Sequence, residues 1–303
     1  TDKIDEQVDL EELFLIIWNK KIFIGVFTLT TLILSIIYAL SLPNTYTSKS
    51  LLAPTSQEDS LSSKLGGISG LAGFAGISLP AGGISQSQIA VKRMQSFEFF
   101  ATYFLPNIKL QNLLALEQWI SRENILIYDK DIYDAISNKW LRQVSYPKEA
   151  KPSAQEAYKE YKKILGITQD ELTGLVDLSI EHKSPIIAKK WVDIIIYNIN
   201  ESMREMDKQD AQNSINFLNE STKTVRIQSI KEVIGSLLEV QMQTLMLTSS
   251  SKAYIFKTIN SPIVPEEKSG PGRSLICILG TILGLILSLL VVLIKHLRQI
   301  SKK

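Results

Sequence analysis

The chain has 303 residues, and its 33 Lys and Arg against 31 Asp and Glu leave a formal net charge of +2. A protein that binds nucleic acid needs a concentrated basic face, so this near-neutral balance argues against that class of protein. The single cysteine, Cys277, excludes a disulfide within the chain, and the two distant histidines, His182 and His296, indicate no metal site.

The N-terminal segment, residues 1–21, is acidic at its start and ends in Lys20 and Lys21. The apolar side chains between these charges, Trp18 among them, fall on one side of a helix. This pattern predicts a short amphipathic helix lying at the membrane surface. The alternative is a plain N-terminal extension of the helix that follows.

Residues 22–42 are apolar and uncharged, and a run of about 20 such residues spans the hydrocarbon core of a bilayer as a helix. A cleaved signal peptide is the alternative, because Ala39-Leu40-Ser41 offers small residues at the spacing of a cleavage site. The acidic leader, and an apolar run longer than about 7–15 residues, favour an uncleaved anchor instead.

A second uncharged apolar run, residues 274–294, predicts a second transmembrane helix. Inside it Gly280, Gly284 and Ser288 recur every four residues and share one helix face. Small residues at this spacing let two helix backbones approach closely in lipid. We therefore expect these three residues to pack against another helix, although glycine is also common in membrane helices without that role.

Three prolines, Pro262, Pro265 and Pro271, stand just before this second run. Proline has no backbone N–H and resists helix formation. The three residues therefore predict a stiff segment that joins the folded domain to the bilayer.

Basic residues lie just outside both apolar runs, at Lys20 and Lys21 and in the tail formed by residues 295–303. Lys and Arg are in excess at the cytoplasmic ends of membrane helices. Both termini are therefore predicted to be cytoplasmic, and residues 43–273 are predicted to form one large domain on the opposite side.

Three stretches of the central region predict strands, because they are rich in β-forming residues or alternate between apolar and polar: residues 46–53, 175–181 and 254–259. We expect them to pair in one sheet close to the membrane, since the first and the last are joined to a span by few residues. The predicted fold is an α+β membrane protein: two transmembrane helices flank a domain with a small mixed sheet and a long extended helix or helical hairpin.

That long helix is predicted over residues 185–250 and is called the arm. Ser184 is a candidate N-cap with Pro185 after it, and neither glycine nor proline follows before Gly235. A continuous helix over this stretch of about 49 residues would be roughly 75 Å long. Residues 200–216 are mostly polar, as expected for a rod standing clear of a core. A cluster of Thr and Val at residues 221–225 marks a weak point, so one helix and a hairpin both stay open.

Residues 85–119 predict helices, with a break at Pro106 and a second helix over residues 108–119. Another short helix is predicted over residues 154–165 and ends at Gly166. The irregular stretch between them holds several Tyr and Trp. Such aromatic side chains can stack on sugars but more often serve in packing.

A glycine-rich stretch, residues 66–83, is too rich in glycine for a stable helix and too apolar for a plain solvated linker. It is not a phosphate-binding loop, because neither of its Gly-Gly pairs is followed by Lys-Ser or Lys-Thr. A mobile loop and a loop that packs on a neighbouring subunit or on the membrane are both open.

The sequence contains no nucleophile elbow, HExxH motif, dinucleotide-binding fingerprint or kinase signature. Carboxylate pairs such as Glu266-Glu267, or Asp129 with Asp131, could serve a glycosidase, but they lie in irregular segments where a solvated charge is the simpler interpretation. We therefore predict no catalytic residue, no cofactor and no metal, and a protein that is not an enzyme.

Four segments carry a family resemblance: VDLEELFLIIWNKK before the first span, YTSKSLLAP after it, SIEHKSPIIAKKWVDIII at the start of the arm, and SPIVPEEKSGPGRSLICILGTILGLILS at the second span. Through their order and spacing the chain resembles the bacterial polysaccharide chain-length determinant family, called Wzz or polysaccharide co-polymerases. No Walker-type kinase follows the second span, as in the kinase-free members of that family.

The resemblance implies a non-enzymatic protein of the bacterial inner membrane that sets the modal length of a lipid-linked glycan: O-antigen, capsule or enterobacterial common antigen. Its implied partners are a separate Wzy-type integral-membrane polymerase, the undecaprenyl-diphosphate-linked glycan, membrane lipids and further copies of itself. The implied large domain is periplasmic and associates into a ring or bell-shaped homo-oligomer.

Two other classes of protein compete with this interpretation. A two-span periplasmic sensor or adaptor usually carries a sizeable cytoplasmic domain, and only about nine residues follow the second run. A membrane-tethered glycan-processing enzyme would extend or cleave a lipid-linked glycan without a polymerase.

Overall fold

The computed structural model describes residues 18–55, 85–250 and 253–300. The predicted amphipathic helix, apart from its last residues, and the glycine-rich stretch 66–83 lie outside the described residues. The chain divides into two compact units, one made of the residues up to 44 and from 269 onward, the other of residues 45–268. We call them the helical unit and the central unit.

Short runs of helices and of strands follow one another along the chain. The helices are α1 (Lys21–Ser41), α2 (Gln86–Met94), α3 (Phe97–Phe99), α4 (Leu110–Leu114), α5 (Ala154–Ile164), α6 (Pro185–Thr224), α7 (Gln228–Ser250) and α8 (Arg273–Ile300). A π-helical turn, Phe100–Phe104, and a 3-10 turn, Leu105–Asn107, continue α3. The strands are β1 (Tyr46–Pro54), β2 (Leu116–Ile120), β3 (Ile125–Tyr128), β4 (Tyr133–Asp134), β5 (Lys139–Trp140), β6 (Leu165–Gln169), β7 (Val176–His182) and β8 (Phe256–Asn260).

The helical unit contains α1 and α8, which are long and apolar enough to cross a membrane by length and composition. Each begins one residue before its predicted span; α1 ends one residue before the end of the first, and α8 continues six residues beyond the end of the second. Neither helix has an acidic residue in its first turn. Their outward side chains are mostly large and apolar, as a hydrocarbon environment requires.

The central unit is built on a four-stranded sheet in the order β6-β7-β1-β8. The three predicted strands all lie in this sheet as β1, β7 and β8, so the predicted α+β fold class is confirmed. Every pair in the sheet is antiparallel, and in this respect the predicted mixed sheet is wrong. Antiparallel pairing needs only short connections such as the turn between β6 and β7.

Strand β6 was not predicted from the sequence. The capping box of Ser153 and Glu156 begins α5, and the chain turns from that helix straight into β6. Gly166 allows close pairing there, because a Cβ at this position would collide with the Ser179 hydroxyl on β7. The residue that was expected to end a helix is therefore the second residue of the edge strand β6, which begins at Leu165.

The core lies between one face of the sheet and the first half of α6. Strand β7 alternates, with Val176, Leu178 and Ile180 buried and the residues between them more exposed. Trp191 of α6 packs edge-on against Phe104, with ring centroids 5.6 Å apart. Full burial of each such large apolar side chain stabilises the fold by about 1.5–3 kcal/mol.

The predicted helix over residues 108–119 is wrong after Leu114. The chain leaves α4 and forms β2, which pairs with β3 in an antiparallel hairpin. Asn124 closes the hairpin with a positive φ of 52°, and its side chain accepts a hydrogen bond of 2.9 Å from Trp119 Nε1. The β-forming residues on both sides of this turn outweigh the helical pattern.

The arm is a helical hairpin, so the choice left open by the sequence is settled. Helix α6 has 40 residues and is about 60 Å long, and α7 packs back along it. Hydroxyl groups of Ser221, Thr222 and Thr224 donate to helix carbonyls in the last turn of α6. This competition with the backbone is a physical reason for the end of α6 at the predicted weak point.

Candidate functional site

The two apolar helices of the helical unit pack antiparallel along a seam of small residues. A Cβ built on Gly280 would lie 2.5 Å from Ser35 Cβ, and one built on Gly284 would lie 2.7 Å from Thr31 Cβ. Both distances are shorter than real Cβ contacts, so the two backbones approach closely only because glycine stands at these positions. Ser288 and Ala39 are fully buried in the same unit.

The structure thus places the three predicted packing residues of α8 on the side of that helix that meets α1. The close approach occurs within one chain. The partner residues Thr31 and Ser35 were missed in the sequence, although they too stand four residues apart, and the buried Ala39 follows four residues later. That spacing is the signal that would have found them.

Hydroxyl groups inside the two helices are satisfied by their own backbones. Thr31 donates to the Thr28 carbonyl at 2.9 Å, Ser35 to the Leu32 carbonyl at 2.8 Å, and Ser288 to the Leu285 carbonyl at 2.7 Å. All three hydroxyls are therefore hydrogen-bonded. An unpaired hydroxyl in the hydrocarbon of a bilayer would cost several kcal/mol.

The two ends of the helix pair differ in their contacts. At one end Arg273 Nη2 donates to the Leu42 carbonyl at 3.3 Å and to Asn44 Oδ1 at 3.1 Å. A positive charge at the carboxyl end of α1 complements the helix dipole. At the other end Lys295 Nζ lies 5.6 Å from the centre of the Phe23 ring.

The predicted proline segment is divided between the two units. Pro262 is buried in the central unit, next to the end of β8, and Pro265 is half-buried there. Two buried serines of β1 hold this segment by its carbonyls: Ser50 donates to Asn260 and Ser48 to Ile263, each at 2.8 Å. Pro271 belongs to the helical unit and is also half-buried. The stiffening role of the three prolines stays a prediction.

A polar cluster fixes the return strand to the arm within the central unit. Asn200 of α6 is buried, and its Oδ1 accepts from the backbone N–H groups of Ile255 and Phe256 at 2.8 and 2.9 Å. Its Nδ2 donates to the Phe256 carbonyl at 3.2 Å. Two helical turns further, Tyr254 donates its hydroxyl proton to Asp207 Oδ2 at 2.6 Å. We call Asn200, Asp207 and residues 254–256 the arm root.

The sequence interpretation missed the arm root. Residues 200–216 were expected to stand clear of the core, but Asn200 and Ala211 are buried. A buried asparagine in a polar helical stretch has no distinguishing pattern, because the groups that it binds lie over fifty residues away.

Burial raises the pKa of the Asp207 carboxyl above its usual range, and Asp210 adds to this effect, while the hydrogen bond from Tyr254 opposes it. Since the folded state holds the proton more tightly than the unfolded state, this group makes the fold less stable as pH rises above the unfolded pKa of 3.8. The loss continues up to the raised folded pKa and is complete above it.

We therefore expect Asp207→Asn to raise the melting temperature of the detergent-solubilised full chain at about pH 7 and to change it little near pH 4. The amide removes the buried charge and keeps an oxygen that accepts the Tyr254 proton. Asp210→Asn, at an exposed position, is the control and should have a much smaller effect. A gain from Asp207→Asn that is the same at both pH values would contradict this account.

Comparison with known proteins finds a family match over the N-terminal third of the chain. Residues 6–101 match the Wzz family, described as chain length determinant protein. The family resemblance is confirmed. The Wzz match covers less than half of the chain, and no curated protein matches the sequence.

Two solved structures resemble the chain at low identity. One is a full-length bacterial polysaccharide co-polymerase, with 12% identity, all of both chains covered and a TM-score of 0.41. The other is a fragment of WzzB, a polysaccharide co-polymerase from Salmonella Typhimurium, with 12% identity, 75% of this chain and 100% of that chain covered, and a TM-score of 0.34. Both TM-scores are below 0.5, so the likeness is weak.

The Wzz match and the two apolar helices together support an inner-membrane protein with two spans. Among the described residues, no group of three His, Cys, Asp or Glu side chains could hold a metal ion.

Proposed function

We propose that this chain sets the modal length of a lipid-linked bacterial polysaccharide as an oligomeric periplasmic scaffold, in concert with a Wzy-type polymerase. The glycan is O-antigen, capsule or enterobacterial common antigen on an undecaprenyl-diphosphate carrier. The observation that carries this proposal is the Wzz match over residues 6–101. The antiparallel helix pair supports it, because that pair is the anchor such a scaffold requires.

The proposed orientation places both termini in the cytoplasm and residues 43–273 in the periplasm. Antiparallel packing of α1 and α8 supports this, because it brings the start of one helix and the end of the other to the same side. Lys20, Lys21, Lys295 and Arg298 gather at that side, and Lys and Arg are in excess at cytoplasmic helix ends.

The proposed scaffold acts without catalysis of its own. Its contribution to polymerisation is then geometric: copies of the central unit, held at the membrane by their spans, define how the growing glycan and the polymerase meet. This division of labour predicts that the length distribution depends on assembly of the copies and not on any single side chain that contacts the glycan.

We propose that the arm provides contacts between copies. Helices α6 and α7 bury Ala211, Ile215, Ile234 and Val240 but leave other large apolar side chains exposed, such as Phe217 at 70% and Met246 at 69%. Apolar groups that a single chain leaves in water are typical of surfaces that a partner covers. A second copy of the same arm supplies a complementary surface.

Phe217→Glu should therefore reduce the number of copies in the detergent-solubilised complex, because a carboxylate replaces an apolar contact. Asn219→Glu introduces the same charge two residues away, on the opposite face of α6, and should leave the complex intact. Native mass spectrometry of the two variants checks this. Equal subunit numbers for Phe217→Glu and the wild-type protein would show that the arm surface does not join copies.

Reconstitution tests the proposed function directly. Purified polymerase and its lipid-linked repeat units are placed in proteoliposomes with and without this protein. We expect a broad distribution of glycan lengths without the protein and a narrower, modal distribution with it. Extension or cleavage of the glycan by this protein without polymerase would instead favour a glycan-processing enzyme.

A further inference from the structure

A second feature of the helical unit is an apolar groove on the outer surface of the α1–α8 pair, separate from the small-residue seam. It is an open groove with a volume of about 440 Å3. Its walls come from Gly25, Thr28 and Leu32 of α1 and from Thr281 and Leu285 of α8. Trp18 and Lys21 stand at one end.

The wall of the groove is apolar, and the two threonine hydroxyls in it are already hydrogen-bonded. Thr28 donates its hydroxyl proton to the Ile24 carbonyl at 2.8 Å, and Thr281 donates to the Cys277 carbonyl at 2.7 Å, so both hydroxyls are used within their own helices. A Cβ added to Gly25 would meet no atom within 4 Å, so this glycine leaves open space. An occupant of the groove must therefore be apolar along its length.

The end of the groove at Trp18 is basic. Lys21 Nζ lies 4.7 Å from the Trp18 ring centre, and Lys20 is its neighbour in the chain. Lys295, at the same end of the helix pair, lies against Phe23. Trp and Lys at the end of an apolar helix occupy the headgroup level of a bilayer. The groove is thus apolar along its length and positively charged at the end near Trp18.

The dimensions of the groove fit one lipid chain. From Lys21 to Leu32 the helix rises about 17 Å, close to the roughly 15 Å of a single leaflet. The length of the groove therefore matches an acyl chain that runs from the headgroup level toward the middle of the bilayer.

We propose that this groove binds one acyl chain of an anionic phospholipid, whose phosphate lies at Lys20 and Lys21. The hydrocarbon tail fills the space beside Gly25 and displaces no packed side chain. The proposal depends on the two spans and is independent of chain-length regulation. A protein that fails to regulate glycan length would still bind the lipid.

The test uses the purified full-length protein, exchanged into mixed micelles with either phosphatidylglycerol or phosphatidylcholine and then examined by native mass spectrometry. We expect one retained phosphatidylglycerol per chain and much less phosphatidylcholine. Gly25→Leu fills the groove and should weaken retention of both lipids about tenfold. Val26→Leu, on an exposed apolar position that does not line the groove, is the matched control and should retain lipid like the wild-type protein.

Removal of the positive charges of Lys20 and Lys21 gives an independent test. Lys20→Gln with Lys21→Gln should lower the preference for phosphatidylglycerol by about fivefold for each lysine, while the groove itself remains. Equal retention of the two lipids by the wild-type protein would overturn the proposal. So would wild-type retention in Gly25→Leu, or a change in subunit number without a change in bound lipid, which would assign the groove to a helix of another chain. If Gly25→Leu fails to fold, an unchanged preference in the double lysine variant overturns the proposal by itself.

Discussion

Replacement of both Gly280 and Gly284 by leucine is expected to force the two spans apart. Even a single added carbon at these positions collides with Ser35 and Thr31, and each leucine adds three more. Overpacking of this kind costs about 1–3 kcal/mol at a site, so the pair of substitutions removes much of the stability of the span pair. We expect a lower melting temperature in detergent and a broadened or shifted glycan length distribution.

The separation itself can be measured in nanodiscs. Spin labels on the natural Cys277 and on a cysteine at the exposed position Ile37 report the distance between α1 and α8. We expect this distance to grow by about 2 Å or more in the double variant. Packed helices lie about 8–10 Å apart depending on the size of the side chains between them, so replacing glycine by leucine moves the pair from the short to the long end of that range.

Val26→Leu is the control for the double variant, because it places a leucine in the first span at an exposed apolar position that lines neither the seam nor the groove. It should leave the helix spacing and the melting temperature unchanged. A double variant that keeps the wild-type spacing and glycan lengths would show that the glycine seam is incidental.

Asn200→Ala is expected to be the most destabilising single substitution in the central unit that we propose. It leaves the buried N–H groups of Ile255 and Phe256 and the Phe256 carbonyl without their partners. An unsatisfied buried polar group costs about 1–3 kcal/mol, so the total loss is about 2–5 kcal/mol after partial rearrangement. The return strand β8 should then open more readily.

Hydrogen exchange of residues 254–260 in the full-length protein locates this effect, and thermal unfolding gives its size. Asn198→Ala is the control: Asn198 is also buried on α6, but its side chain donates to the Tyr103 carbonyl. That carbonyl also accepts from Asn107 Nδ2 at 2.8 Å, so the substitution should cost about 0.5–1.5 kcal/mol, with no change in exchange at β8. Equal exchange at β8 in the two variants would contradict the assigned role of Asn200.

The two spans, the strands β1, β7 and β8 and the start of the arm could be predicted from the sequence because their signals are local. The two uncharged apolar runs specify helices that satisfy their own backbones in lipid. The strands β1, β7 and β8 have β-forming or alternating residues, and Pro185 fixes the start of the arm.

Features that depend on distant partners could not be predicted in the same way. Trp119 belongs to a strand only because residues 125–128 pair with it across Asn124. Gly166 was interpreted as a helix end, and its place beside Ser179 requires knowledge of the register between β6 and β7. The burial of Asn200 is likewise set by residues more than fifty positions away.

Of the candidate site, the residues on α8 were predicted from the sequence and those on α1 were not. Gly280, Gly284 and Ser288 were recognised by their spacing, since glycine in an apolar run is conspicuous. Their partners Thr31 and Ser35 were not, because threonine and serine in a membrane helix also serve to satisfy their own backbone carbonyls. A search for matched small-residue spacing in both runs would have paired the two faces.

The proposed chain-length function is tested most directly by the glycan ladder of the native host after deletion of the gene for this protein. We expect the ladder to lose its modal peak or to shift it, and we expect the wild-type gene on a plasmid to restore it. A ladder with the same modal length and the same intensity distribution in the deletion strain and its parent would contradict the proposed function.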